Sequence, residues 1–355
     1  MSFFTDPPLH DFPDQAHRLL LEHPANLRDL IGAVAPELVD GFDFDRMQLL
    51  RRVLDLPDWR RRESDLLFSI PYQGPTVSPG AELSSSVLVC LLLEHQSQED
   101  QSMPLRTLLY AVLYWDREWK AWEDRRQRGE PLRLSPVLPI VFHTGRQPWA
   151  THRTFADLFT VPERFRPYVV SWQPLFWDLA EQSSDALRQA TGEWLKAMAV
   201  VRAERENAET YRNILTDVLH HLEPLHERDR VRWHDLLWFL LSWSVRRRAG
   251  DERGQLVAAA ATSHENVALR KEVETMSQMV GRAWEDEVLE QGMNRGMLLG
   301  ALAVCRELLR VTLEERFGVL PDALRQRIEQ TEDIDRLKAC VRQTMHITKL
   351  DELTL

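Results

Sequence analysis

The sequence predicts an α/β fold whose strands are confined to the first half of the chain and whose second half is mostly α-helical. Two observations predict it. Short apolar runs from Ser64 to Ile70 and from Ser86 to Leu93, separated by Pro71, Gly74, Pro75, Pro79 and Gly80, read as strands joined by a loop. From about Leu187 onward apolar residues recur at helical spacing nearly to the end, with no strand run of comparable quality.

Between Phe12 and Val34 the residues Ala16, Leu19, Leu20, Leu27, Leu30 and Ile31 follow a helical period, and Pro24 suits the first turn of a second helix. Asp45 to Leu54 is a further amphipathic segment, ended by Pro57. The run from Ser86 to Leu93 is apolar at successive positions, which predicts a strand buried on both faces in the middle of a sheet. Helical character returns from Pro104 to Arg128, with Leu105, Leu108, Leu109, Val112 and Trp115 on one side. Pro136 to Phe142 and Tyr168 to Trp172 read as further strands, and the strand-bearing part ends near residues 180 to 184. Ala249 to Gln255 reads as a turn between helices, and Glu285 to Arg310 as a long amphipathic segment interrupted by Gly292, Gly296 and Gly300. That spacing of small residues suits ordinary packing or a second helix of a homo-oligomer.

Composition narrows the function classes. The net charge is −11 over 355 residues, which argues against coating nucleic acid by bulk electrostatics. Local cations are a different matter, and Arg51, Arg52, Arg60, Arg61 and Arg62 cluster just before the first strand. Cys90, Cys305 and Cys340 are too scattered for a disulfide framework or a paired zinc site. No apolar run approaches the roughly 20 residues of a membrane-spanning helix, and the first dozen residues lack a basic stretch followed by an apolar one. The expectation is a cytoplasmic protein. Walker, His-Glu-x-x-His, Gly-x-Ser-x-Gly and Gly-x-Gly-x-x-Gly motifs are absent from the sequence, which argues against nucleotide hydrolysis, zinc proteolysis, serine hydrolysis and dinucleotide chemistry and gives no sign of an organic cofactor.

One constellation carries chemistry. Asp65 opens the first clear strand and Glu94 closes the next, a way to bring two carboxylates to one hard cation such as Mg²⁺ or Mn²⁺. Gln96 projects from the same face as Glu94 because strand side chains alternate. The alternative reading is that Glu94-His95-Gln96 is a strand entering solvent and that Asp65 follows a charged loop. His95 and His143 lie at strand ends, where a structural role is the more common one. Asp11 and Glu22 suit either a third acid or a solvated helix face. Arg246-Arg247-Arg248 suits a solvated helix end or phosphate contacts, and Trp115, Trp119 and Trp122 share a helix face suited to packing.

The run Arg62-Glu63-Ser64-Asp65-Leu66-Leu67-Phe68, then Leu92-Leu93-Glu94-His95-Gln96-Ser97, then Met103-Pro104-Leu105-Arg106 with Tyr110, resembles the recombination-promoting nuclease (Rpn) family, also called YhgA-like transposases. The likeness extends to His10-Asp11, to Leu138-Pro139-Ile140-Val141-Phe142-His143-Thr144-Gly145 and to Pro148-Trp149. In the tail, Leu308-Leu309, Glu315-Arg316-Phe317-Gly318 and Leu350-Asp351-Glu352-Leu353 resemble a small helical module of such proteins. The resemblance implies a PD-(D/E)XK restriction-endonuclease-like mixed sheet flanked by helices, and metal-dependent cleavage of DNA linked to recombination or mobile elements. It implies Asp65 and Glu94 as catalytic metal ligands, the backbone carbonyl of His95 as a further ligand, and Gln96 where the motif has its lysine. An amide carries no charge, so another cation would have to replace that lysine, with Arg106 as the candidate. The implied organisation is a nuclease-like domain over residues 1–180, a helical region over 181–280 and a C-terminal helical module over 281–355. A catalytically silent DNA- or protein-binding protein on the same fold is the alternative, and an RNA-directed nuclease a third.

Overall fold

Five strands form one mixed sheet in the order β1-β2-β3-β4-β5. They are Gln48–Leu49 (β1), Leu66–Tyr72 (β2), Ser85–Glu94 (β3), Val137–His143 (β4) and Leu175–Asp178 (β5). The computed structural model describes residues 12–50, 66–73, 85–94, 100–125, 131–145, 147–248, 250–262, 266–344, 347 and 349–353. β1, β2 and β3 run antiparallel as a meander, and β3, β4 and β5 run parallel. Parallel neighbours need a crossover, which Met103–Arg125 (α4) supplies between β3 and β4.

The helices preceding the sheet are Phe12–Leu21 (α1), Pro24–Val34 (α2) and Pro36–Val39 (α3). Pro24 stands at the start of α2, where its missing amide hydrogen costs nothing, and His23 Nδ1 accepts the Ala25 amide at 3.3 Å as the cap. After the sheet come Ser184–Gln189 (α5), Glu193–Arg202 (α6), Ala208–Arg228 (α7), Arg230–Arg247 (α8), Arg253–Thr262 (α9), Val267–Phe317 (α10), Asp322–Gln330 (α11) and Ile334–Gln343 (α12). Ser183, Asn207, Asp229 and Asp333 cap α5, α7, α8 and α12 through side-chain oxygens. The fold is therefore mixed α/β with a helical second half. No helix among the described residues is long and apolar enough to cross a membrane.

Both sheet faces are covered, as the unbroken apolar run of β3 requires. Leu67, Val141 and Trp149 pack with Met103 and Tyr114 of α4 on one face. On the other, Phe142 lies against His17 of α1, Trp177 of β5 and Trp194 of α6, with ring centroids 5.1 to 5.5 Å apart. On α4, the Trp115 indole donates to the Ser135 carbonyl at 2.8 Å and meets the Trp172 ring edge-on, while Trp119 stays 41 % exposed.

Two segments depart from the sequence reading. The expected strand from Tyr168 to Trp172 is not one: Tyr168 ends a 3-10 turn, Glu163–Tyr168, that contains Pro167, and the strand forms at Leu175–Asp178 instead. Proline lacks the amide a ladder needs, and Tyr168 is 82 % exposed. In the amphipathic stretch from Asp45 to Leu54, Phe44–Arg46 is a 3-10 turn and Gln48–Leu49 joins β2, where the Leu50 amide continues the ladder by donating to the Leu67 carbonyl at 2.8 Å.

The helical layer is tied together by one buried cation. Arg232 of α8 donates to Asn26 Oδ1 (2.8 Å) and Asp29 Oδ2 (2.7 Å) of α2, and to Glu193 Oε2 (2.9 Å) at the start of α6. Asp29 Oδ2 also accepts the Trp194 amide at 3.0 Å, so one carboxylate caps α6 and pairs with α8. Burial pushes the Asp29 carboxyl above its ordinary range, with the Arg232 guanidinium and the Trp194 amide pulling the other way. Gly192 permits this approach, because a Cβ there would lie 2.4 Å from the Asp29 carboxyl carbon.

The chain divides into two compact units, Met1–Gly281 and Arg282–Leu355. The second has its own core, in which Leu302, Leu309 and Leu313 of α10 meet Ile328 of α11 and Leu337 and Cys340 of α12. Gly318, at φ 78°, takes the left-handed turn that ends α10, and its amide donates to the Glu314 carbonyl at 2.9 Å.

Removing Arg232 leaves the half-buried Asp29 without its cation and Glu193 with only the exposed Arg228, so Arg232→Ala should lower unfolding free energy by about 3 kcal/mol in urea titrations. Arg230→Ala, which breaks the pair with Glu272 from a side chain 67 % exposed, should change it by about 1 kcal/mol at most. Equal losses in the two variants would show that burial of the Arg232 network is not what stabilises the helical layer. Gly192→Ala should destabilise measurably in the same titration, by forcing the Asp29 carboxylate out of its place.

Candidate functional site

Three adjacent strands deliver their last residues to one edge of the sheet. β3 ends at Glu94, β4 at His143 and β5 at Asp178, and the register sets Glu94 beside His143 and His143 beside Asp178. His143 and Asp178, in register, share the sheet face covered by α4, to which Val141 and Phe176, two residues before each, also belong. The carboxyl ends of parallel strands are where open α/β sheets commonly bind ligands.

Asp178 is buried and holds backbone. Its Oδ2 accepts the Trp149 amide at 2.6 Å and its Oδ1 accepts the Ala180 amide at 2.9 Å. The loop after β4 and the turn after β5 are thus fastened to a single carboxylate. Arg153 adds to the fastening, donating to the Trp149 carbonyl (3.3 Å) and pairing with Glu181 (2.6 Å).

His143 is 2 % exposed. Its Nε2 lies 3.1 Å from the Gln147 carbonyl, which can only accept, so that nitrogen carries the proton in the neutral ring. Nδ1 then offers a lone pair, and it has no hydrogen-bond partner among the described residues. The ring sits edge-on to Trp149 at 5.2 Å. This places a buried acceptor at the strand end, in register with Glu94.

Of the residues singled out in the sequence, Glu94 is placed at this edge by the last pair of the β3–β4 ladder. Asp65, His95 and Gln96 lie outside the described residues, as do Asp11 and the arginines 51, 52, 60, 61 and 62. Arg106 stands on the first turn of α4 and pairs with Asp100 at 3.2 Å, from a side chain 14 % exposed. Asp100 in turn accepts the amide and hydroxyl of Ser102. Glu22 is paired with Arg18 at 3.4 Å and its side chain is only 7 % exposed, so it does not belong to a solvated face. Among the described residues no group of three or more His, Cys, Asp or Glu is placed to hold a metal ion.

The arginine run at the end of α8 is spent on its own chain. Arg246 lies over the Phe12 ring at 4.8 Å, Arg247 pairs with Glu204 at 3.2 Å, and Arg248 pairs with Glu252 at 2.8 Å. Asp178 lies beyond the strand that the sequence predicts at 168–172. A signal was available: Leu175-Phe176-Trp177-Asp178 repeats the pattern of Leu92-Leu93-Glu94 and Val141-Phe142-His143, an apolar run closed by a polar residue.

The profile of a family described as "Putative transposase, YhgA-like" matches residues 11–229. Among curated proteins the chain is similar to the recombination-promoting nuclease RpnC of Escherichia coli (strain K12), 26 % identical over 178 residues. That alignment covers 50 % of this chain and 53 % of the relative, so the chain spans about half the length of the protein it matches. No solved structure matches the chain.

Asp178→Ala orphans two amide donors at this edge. It should cost about 2–4 kcal/mol in chemical denaturation and speed hydrogen exchange at Trp149 and Ala180; unchanged exchange at both amides would contradict the role of this carboxylate.

Proposed function

The chain belongs to the YhgA-like transposase family, whose profile matches more than half of it, and on that premise we propose that it is a divalent-metal-dependent nuclease of the PD-(D/E)XK type that cuts DNA in a recombination-linked role. The observation that carries the reading is the place of Glu94, last residue of a central strand at the edge where three parallel strands end beside His143 and Asp178. The three-strand meander, the helical crossover α4 and the parallel β4 support it as a mixed sheet flanked by helices. The similarity to a protein named a recombination-promoting nuclease supports the chemistry.

In this proposal Asp65, the residue before β2, and Glu94 are the carboxylates that hold Mg²⁺ or Mn²⁺, with the His95 backbone carbonyl as a further oxygen donor. These are hard oxygen donors, the kind both ions take. A bound ion of this type supplies Lewis acidity toward a phosphate oxygen and lowers the pKa of a coordinated water. Gln96 hydrogen-bonds and orients a water or a phosphate oxygen but brings no charge to offset what develops at phosphorus. Arg106 is poorly disposed to replace the missing lysine while Asp100 holds its guanidinium. His143, with Nε2 bound to the Gln147 carbonyl, keeps its other nitrogen available as an acceptor at the same edge.

Supercoiled plasmid incubated with the purified protein should be nicked with Mg²⁺ or Mn²⁺ and left intact with chelator. Asp65→Ala and Glu94→Ala should each slow nicking by more than ~100-fold, the upper end of what loss of a metal site's supporting groups costs. Wild-type protein that binds plasmid without cutting it under any of these metals would replace the enzymatic reading by a binding one.

A further inference from the structure

We propose that a cavity at the carboxyl ends of β4 and β5 is a phosphate-binding site, with Arg202 and Arg205 as the residues that hold the anion. The cavity measures 320 Å³ and is roofed by the end of α6 and by α8. Gly145, just after β4, and Ala180, just after β5, form its floor side, so it opens at the sheet edge that ends in His143 and Asp178. Its volume lies at the small end of the ~300–1,000 Å³ typical of ligand sites, enough for a phosphate ester with part of its alcohol.

The charge inside is lopsided. Three arginines, Arg202, Arg205 and Arg247, line the cavity with one acid, Glu204. Glu204 is committed to Arg247, accepting from its Nε at 3.2 Å and pairing with its terminal nitrogen at 3.2 Å, so that guanidinium is fixed and its charge offset. Arg247 also lies over the Trp243 ring at 5.5 Å. Among the described residues Arg202 gives only its Nε, to the Gln182 carbonyl at 3.2 Å, which orients the side chain and leaves both terminal nitrogens for a ligand. Arg205 forms no ion pair with the described residues. Two uncompensated guanidiniums thus converge on one concavity in a chain whose net charge is −11. Guanidinium matches a phosphate through paired N–H donors, which a carboxylate-rich surface elsewhere would repel.

The chemistry named is a phosphate, and two sources could present it: a phosphodiester of a nucleic-acid backbone, or a free phosphate ester such as a mononucleotide. The first source rests on the nuclease reading above, with the cavity holding a backbone phosphate near the edge where Glu94 lies. The second does not.

The test uses the full chain in chelator, so that binding is read without cleavage. Wild type, Arg202→Ala/Arg205→Ala and Arg205→Gln alone are titrated against a fluorescent DNA duplex over a salt series, and separately melted with and without inorganic phosphate and deoxyadenosine monophosphate. Both arginines are exposed, so the variants should melt like wild type in the absence of ligand. The double variant should bind duplex about tenfold more weakly and flatten the salt dependence of log K by about 1, the signature of one lost phosphate contact. If wild type ignores duplex but is stabilised by mononucleotide or phosphate, and the double variant is not, the site stands with the free ester as its source. Variants that match wild type in both measurements, or a wild type that responds to neither ligand, overturn it. Plasmid nicking is scored independently, so a protein that never cuts but loses duplex affinity in the double variant keeps this site and loses the enzymatic reading.

Discussion

The unshifted register of β3, β4 and β5 is the constraint on which the rest of the molecule depends. It brings the strand ends Glu94, His143 and Asp178 to one edge. It also brings the loop after β4 and the turn after β5 close enough for the Asp178 carboxylate to bind both. A slip of one residue in any of these ladders would turn the polar strand ends to the opposite face and bury them against aromatic rings. The polar ends themselves resist such a slip, because burying them unpaired among apolar side chains costs free energy.

Covering those faces demands helices held at fixed angles, and here the energetic logic changes from apolar burial to a charged network. Arg232 meets Asp29, Glu193 and Asn26 in a space from which water is largely excluded. Such a network adds little to stability compared with apolar packing, and breaking it is costly. Its consequence is positional. The start of α6 is pinned to α2, and the end of α6 then carries Arg202 to the cavity beside the sheet edge. A buried ion pair near one end of a helix therefore sets where an exposed cation stands at the other.

The second unit shows the opposite economy. Leu309, Leu313 and Leu337 are wholly buried in a small helical core, and Gly318 ends α10 by a left-handed turn that an alanine would strain. Arg306 closes the gap to α11, donating from two nitrogens to the Thr331 carbonyl at 3.0 and 3.2 Å.

Local chemistry alone determined a good deal about this chain. Pro24 marks the break between α1 and α2, the unbroken apolar run of β3 requires a central strand, and the helical period after Leu187 makes the second half α-helical. The segments around Asp65 and Glu94 carry the family likeness, and the profile over residues 11–229 agrees with it. Tertiary structure decided what periodicity cannot encode. The stretch from Tyr168 to Trp172 is apolar enough for a strand, but Pro167 and the pairing available to Leu175–Asp178 moved the strand onward and brought Asp178 to the edge. Arg246 and Arg247 look like free cations in sequence, and the ring of Phe12 and the carboxylate of Glu204 reach them only once the helices pack. Strand and helix are dictated by interactions within a few residues, whereas register and charge pairing depend on neighbours that the chain supplies from tens or hundreds of residues away.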